Sequence, residues 1–115
     1  MKNLGKWGEE TAASFLMKKG YKLIDKNWRA RPGEIDLVMR HGPTLVFVEV
    51  KTRSTKDFGY PEEALSEEKM EHLGAAAEEF LQSYGGDPDY RIDCVAIIGR
   101  PDGPVEIAHI EGIQD

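Results

Sequence analysis

Apolar positions recur along this chain with two different periods, and the switches between them mark out its elements. Trp7, Ala12, Phe15 and Leu16 fall at helical spacing, which predicts a helix over residues 4–19. Its ends carry suitable residues: Asn3 as N-cap, Lys18 and Lys19 in the last turn, Gly20 just beyond it. "YKLIDKNW" (21–28) then predicts a strand, though a polar one, and "RARPG" a loop. "EIDLVMR" (34–40) alternates, with Ile35, Leu37 and Met39 expected on one face and Glu34, Asp36 and Val38 on the other. After the turn "HGPT", residues 44–52 are apolar on both faces, the pattern of a strand inside a sheet.

The second half repeats the switch. A loop, "RSTKDFGYPEEAL", carries "FG" and "YP", and is expected either to cover a substrate or simply to pack. Ser66 can cap a second helix, with Glu67 and Glu68 favourable in its first turn. Met70, Leu73, Ala77, Phe80, Leu81 and Tyr84 continue a stripe to the glycine pair that ends it. "RIDCVAII" (91–98) and "VEIAHI" complete the pattern as strands, separated by the turn "GRPDGP". The order αβββαββ predicts an α/β fold with a mixed sheet flanked by helices.

A length of 115 residues predicts one domain, 1–115, with a core of modest size. No apolar run approaches the roughly 20 residues of a membrane span, and "MKNLGKWGEE" lacks the apolar core of a secretory signal. The one cysteine, Cys94, reads as a small buried hydrophobe, and a reducing cytoplasm is the expected setting. The net charge of −6 conceals an asymmetry. Residues 1–56 carry 12 Lys and Arg against 6 Asp and Glu, whereas residues 57–115 carry 3 against 15. Local potential governs steering, so the first half can still face a polyanion. Complementary faces of a self-associating protein would give the same asymmetry.

That charge matters most where it interrupts the central strand. In "LVFVEVKTR" (45–53), Glu49 and Lys51 flank Val50 after four apolar residues. If the two best strands form an antiparallel hairpin with Arg40 opposite Leu45, Asp36 falls opposite Glu49 and Glu34 opposite Lys51. A register shifted by one residue would separate Asp36 and Glu49 onto different faces. On the first helix, Glu9 continues the stripe of Ala13 and Leu16, while Glu10 is turned away by about 100°. Clustered carboxylates beside a lysine suit a hard divalent cation and phosphodiester hydrolysis by a metal-activated water. The ammonium would orient or help deprotonate that water, or neutralise developing charge. The plain alternative is a solvated Glu34–Lys51 cross-strand pair, worth about 0.2–1 kcal/mol.

These blocks together resemble a known group. "GEIDLV" followed by "LVFVEVKTR" is similar to the core of the PD-(D/E)xK nuclease superfamily, with its acidic residue on one strand and E-x-K on the next. With "GKWGEETAASFL", "GYKLIDKNWR", "FGYPEEAL", "EKMEHL" and "RIDCVAI", nearly the whole chain resembles the YraN-like family of small bacterial proteins, related to archaeal Holliday junction resolvases. The resemblance implies a restriction-endonuclease-like fold. It implies Asp36 and Glu49 as metal-binding carboxylates, the Val50 carbonyl as a further ligand, Lys51 as catalytic lysine and Glu9 as the carboxylate from the first helix. Mg²⁺ or Mn²⁺ would be the cofactor and DNA, branched or structured, the substrate. Resolvases cut two strands symmetrically, which would imply a homodimer.

Around that core, Arg29, Arg31, Arg53, Lys56 and Lys69 are the candidate phosphate contacts, with Trp28 and Arg40 beside them. Lys69 reads equally well as a solvated helix residue. His41, His72 and His109 share no ligand spacing and read as structural, and Asp93 receives no role. The expected activity is that of a metal-dependent DNA endonuclease. The alternatives are a nucleic-acid-binding or scaffold module that keeps the fold without turnover, and a protein-interaction domain using the acidic second helix.

Overall fold

The computed structural model describes residues 3–55 and 65–114. Helix α1 spans Leu4–Lys18, and its ends use the residues expected of them. Asn3 Oδ1 accepts the Lys6 N–H at 3.1 Å. At the other end Gly20 adopts φ +95°, and the Gly20 and Tyr21 amides donate to the carbonyls of Met17 and Leu16. This is the double closure that a left-handed glycine permits. Strands β1 (Lys22–Arg29), β2 (Glu34–His41) and β3 (Thr44–Arg53) follow. Helix α2 covers Glu67–Tyr84, and β4 (Tyr90–Gly99) and β5 (Val105–Ile110) end the chain.

The five strands lie in sequence order in one mixed sheet. Only β3 and β4, the pair linked through α2, run parallel; the other neighbours are antiparallel. The strand read as apolar on both faces, β3, is the middle one. Its side chains divide cleanly. Val46 and Val48 join Trp7, Ala12, Ala13 and Leu16 of α1, whereas Leu45 and Phe47 join Leu73, Ala76, Ala77 and Phe80 of α2. The helices therefore cover opposite faces of the sheet, and two apolar layers hold it between them. The polar β1 is an edge strand, with Leu23 and Ile24 more than a third exposed.

The expected alternation of β2 holds only in part. Leu37 and Met39 pack on the α1 side, but Ile35 packs on the α2 side with Val38. Residues two apart in a regular strand share a face, so β2 is irregular between 35 and 37. Its neighbour is irregular at the matching place. Lys26 pairs with Leu37 and Trp28 with Ile35, which sets Asn27 opposite Asp36, and Asn27 has φ +50°. Asparagine is one of the few side chains that tolerate this region. Both strands thus break step where the polar residues begin.

Residues 56–64, including Lys56, "FG" and "YP", lie outside the described residues. Within the described residues, no helix is long and apolar enough to cross a membrane.

Candidate active site

The register places the first two carboxylates. Arg40 pairs with Leu45, as expected, and pairing continues to Leu37 opposite Val48. One step further sets Asp36 opposite Glu49, but the backbone ladder ends before it. Asp36 Oδ2 instead accepts the Val50 N–H at 2.8 Å. A side-chain acceptor has taken a donor on the adjoining strand, which fixes the carboxylate against β3.

Glu49 is 3% exposed although it carries a carboxylate. Two ammonium groups bracket its Oε2: Lys51 Nζ at 3.5 Å and Lys69 Nζ at 3.2 Å. Its Oε1 is buried and meets no hydrogen-bond donor among the described residues. Burial pushes the Asp36 carboxyl up to about 8, and the Glu49 charge adds to the effect. The Val50 N–H works in the opposite direction, while a side-chain hydrogen bond with Glu49 and the more distant Glu9 charge raise it further.

α1 and α2 reach this end of β2 and β3 from opposite sides. On α1, Gly8 lies so close to β3 that a Cβ there would stand 2.0 Å from Thr52 Oγ1. That approach brings Glu9 near the sheet end. Asn27 Nδ2 donates to Glu9 Oε1 at 2.9 Å and to Glu34 Oε1 at 3.0 Å, tying two carboxylates together. From α2, Ser66 Oγ caps the Lys69 N–H at 3.1 Å, and the Lys69 side chain extends to Glu49.

The chemistry of this donor set fits a divalent cation. Lys51 and Lys69 both meet Glu49 Oε2 and leave the buried Oε1 unmatched, so the pair still offers an oxygen that a cation could take. Mg²⁺ and Mn²⁺ take few carboxylates and complete their coordination with water and substrate oxygens. Asp36, Glu49 and the Val50 carbonyl supply such a set. Among the described residues, no three His, Cys, Asp or Glu side chains gather round one point. Glu9 therefore stands beside the Asp36–Glu49 pair, held by Asn27, rather than completing a triad with it.

The expected positions are otherwise distributed as follows. Glu34, expected across from Lys51, has Asn27 and Arg29 as its partners, the latter at 3.8 Å. Arg29 and Arg31 are exposed near the β1–β2 loop. Arg53 is half-buried and donates to the Thr52 carbonyl. Trp28 packs edge-on against Phe80, 5.4 Å between ring centres, and so belongs to the α2 layer. Lys69, read as a phosphate contact or a solvated helix residue, is an ion-pair partner of Glu49 with its side chain 38% exposed. Asn27 was overlooked by sequence reasoning. Its signal was an asparagine in an otherwise regular polar strand, a residue suited to left-handed backbone.

Asp93 and His109 prove to be linked. Asp93 is fully buried and accepts from His109 Nε2 at 2.8 Å, Arg91 Nε at 3.0 Å and the Gly112 N–H at 3.0 Å. Lys19 Nζ lies 2.8 Å from His109 Nδ1. An ammonium only donates, so Nδ1 accepts and Nε2 carries the proton given to Asp93. Burial alone would raise Asp93, but the hydrogen bonds from His109, Gly112 and Arg91 together hold it below the ordinary carboxylate value. This network ties the C-terminal end of α1 to β4 and β5. A groove of about 410 Å³ lined by Trp7, Ser14, Phe15 and Ile107 likewise contains none of the candidate site residues.

These features define a small α/β protein with a five-stranded mixed sheet and a carboxylate pair flanked by lysines just beyond the end of the β2–β3 ladder. The chain belongs to the uncharacterised protein family UPF0102, the YraN family, whose model matches residues 8–97. That span includes Glu9, Asn27, Asp36, Glu49, Lys51 and Lys69. It is 43% identical over 111 residues to a UPF0102 protein of Leifsonia xyli, covering 96% of this chain and 94% of the relative. It is 46% identical over 110 residues to one of Syntrophomonas wolfei, covering 95% of each. With one of Chlorobium phaeobacteroides it shares 44% over 99 residues, covering 85% of this chain and 79% of the relative.

Proposed function

We propose that this protein is a metal-dependent DNA endonuclease. The observation that carries the reading is the Asp36–Glu49 pair, with a buried unmatched Glu49 oxygen and the Lys51 ammonium 3.5 Å from the same carboxylate. Asp36, Glu49 and the Val50 carbonyl would hold Mg²⁺ or Mn²⁺. When bound, the ion would supply an activated water and stabilise charge on the phosphodiester.

The remaining roles belong to the chain itself. Lys51, held on β3 beside Glu49, would orient the attacking water or take up its proton. Glu9, fixed by Asn27, would add negative charge and a hydrogen-bond acceptor at the rim. Arg29, Arg31 and Arg53 would contact phosphates and position the DNA without reading its sequence. Branched or structured DNA is the substrate class, by analogy with resolvases. Two such sites in a homodimer would allow paired cuts on opposite strands.

The test is cleavage of labelled four-way, flapped, single-stranded and linear DNA in Mg²⁺ and Mn²⁺ by the wild type, Asp36→Asn and Lys51→Ala. Metal-dependent cutting that both substitutions abolish is the expected result. Equal DNA binding by all three proteins with no cutting would replace the nuclease reading with that of a binding module.

A further inference from the structure

Lys69 stands where a helix does not favour it. It is the third residue of α2, in the first turn, where the macrodipole disfavours cations and where Glu67 and Glu68 are the complementary residues. Its side chain is 38% exposed, so nothing in the packing forces it inward. What it gains is Glu49, whose Oε2 lies 3.2 Å from its ammonium.

Glu49 carries two cations on one oxygen, and they are not equivalent. Lys51 is two residues away on the same strand, with a side chain only 22% exposed. Its position is set by β3. Lys69 comes from a different element on a flexible stem with three rotatable donors, and can withdraw toward water. A divalent ion entering beside Glu49 would meet the Lys69 ammonium 3.2 Å from one of its oxygens, on the more exposed of the two lysines.

We propose that Lys69 is the resident counter-cation of Glu49, and that its charge competes with a divalent metal for this carboxylate. In the metal-free protein it offsets a buried negative charge that would otherwise destabilise the fold. On metal entry the same positive charge, a few ångströms from the incoming ion, opposes binding. Lys69 therefore sets the metal affinity of the site rather than serving as one of its ligands. The inference rests on the metal-binding reading of Asp36 and Glu49 and adds a positioning role for a residue on α2.

Calorimetric titration with Mn²⁺ of the full chain, at fixed pH and salt, separates the two. The variants are Lys69→Gln, which removes the charge, and Lys69→Arg, which keeps it. The expected result is a Kd about fivefold lower or better in Lys69→Gln, given the usual strength of a partly exposed ionic contact. Lys69→Arg should stay close to the wild type. The rise in Tm that saturating Mn²⁺ produces should likewise be larger in Lys69→Gln. Measurable Mn²⁺ binding with equal or weaker affinity in Lys69→Gln would overturn the competition while leaving the metal site in place. Absence of Mn²⁺ binding in all three proteins would overturn the metal reading, and this inference with it.

Discussion

Asp36 and Val50 are joined across two strands by a 2.8 Å bond from the Val50 N–H to Asp36 Oδ2, where the backbone ladder between those strands has ended. A side chain stands here in place of a carbonyl as the acceptor, and Asp36 interacts directly with Glu49. Burial and the Glu49 charge make a proton on Asp36 favourable up to about pH 8.

That proton has a measurable consequence. The folded-state pKa of Asp36, about 8, lies above its unfolded value, so the folded chain holds a proton that the unfolded chain has released. The resulting stabilisation is fully present below the unfolded value and is lost as pH rises through the folded one. Metal-free wild type should therefore lose stability between pH 5 and 9 in urea denaturation. Asp36→Asn keeps an oxygen for the Val50 N–H and removes the titration, and should show a flatter profile with a gain over wild type at the alkaline end. Parallel profiles for the two proteins would contradict the assignment.

Gly8 tests how α1 is seated. A Cβ at this buried position would collide with Thr52, at 2.0 Å from Oγ1 and 3.0 Å from Cβ. Gly8→Ala should cost about 1–3 kcal/mol of stability through overpacking. Thr52→Ala removes Oγ1 and the methyl and should recover part of that loss, so the pair should show a coupling of about 1 kcal/mol in a double-mutant cycle. Strictly additive effects would mean that α1 and β3 do not meet at this contact.

Asp93 governs the acid side of stability. Its hydrogen bonds with His109, Gly112 and Arg91 outweigh the effect of burial and lower its pKa. The stabilisation is therefore present above the ordinary carboxylate value and is lost as pH falls through the depressed folded one. Asp93→Asn leaves His109 without its anionic partner and Arg91 with the exposed Glu111 at 3.5 Å in place of Asp93, and should cost about 3 kcal/mol at neutral pH. It should also flatten the loss of stability below about pH 4. Unfolding measured by circular dichroism from pH 2 to 7 checks both effects.

Most of the frame was legible because it follows from periods and caps. Residues 45–48, apolar on both faces, identified β3 as an interior strand, and Asn3, Gly20 and Ser66 fixed the helix ends. The Asp36–Glu49 register was legible because a shift of one residue would have moved Asp36 to the other face. What escaped was non-local or irregular. Ile35 changed faces beside the point where Asn27 on the neighbouring strand takes a left-handed conformation, a partnership that no window of sequence displays. His109 read as structural and is so, but its partner Asp93 went without a role, since their contact joins β5 to β4 across 16 residues. Lys69 was ambiguous because only the docking of α2 brings it to Glu49.

The proposed nuclease requires Asp36 and Glu49 to bind one divalent ion between them. Diffraction from crystals grown with Mn²⁺, recorded at the manganese absorption edge, locates such an ion directly. The expected result is an anomalous peak contacting both carboxylates and lying beside the Val50 carbonyl, absent from crystals of Asp36→Asn grown in the same way. A wild-type map with no peak at this pair, or with manganese bound only elsewhere, would contradict it.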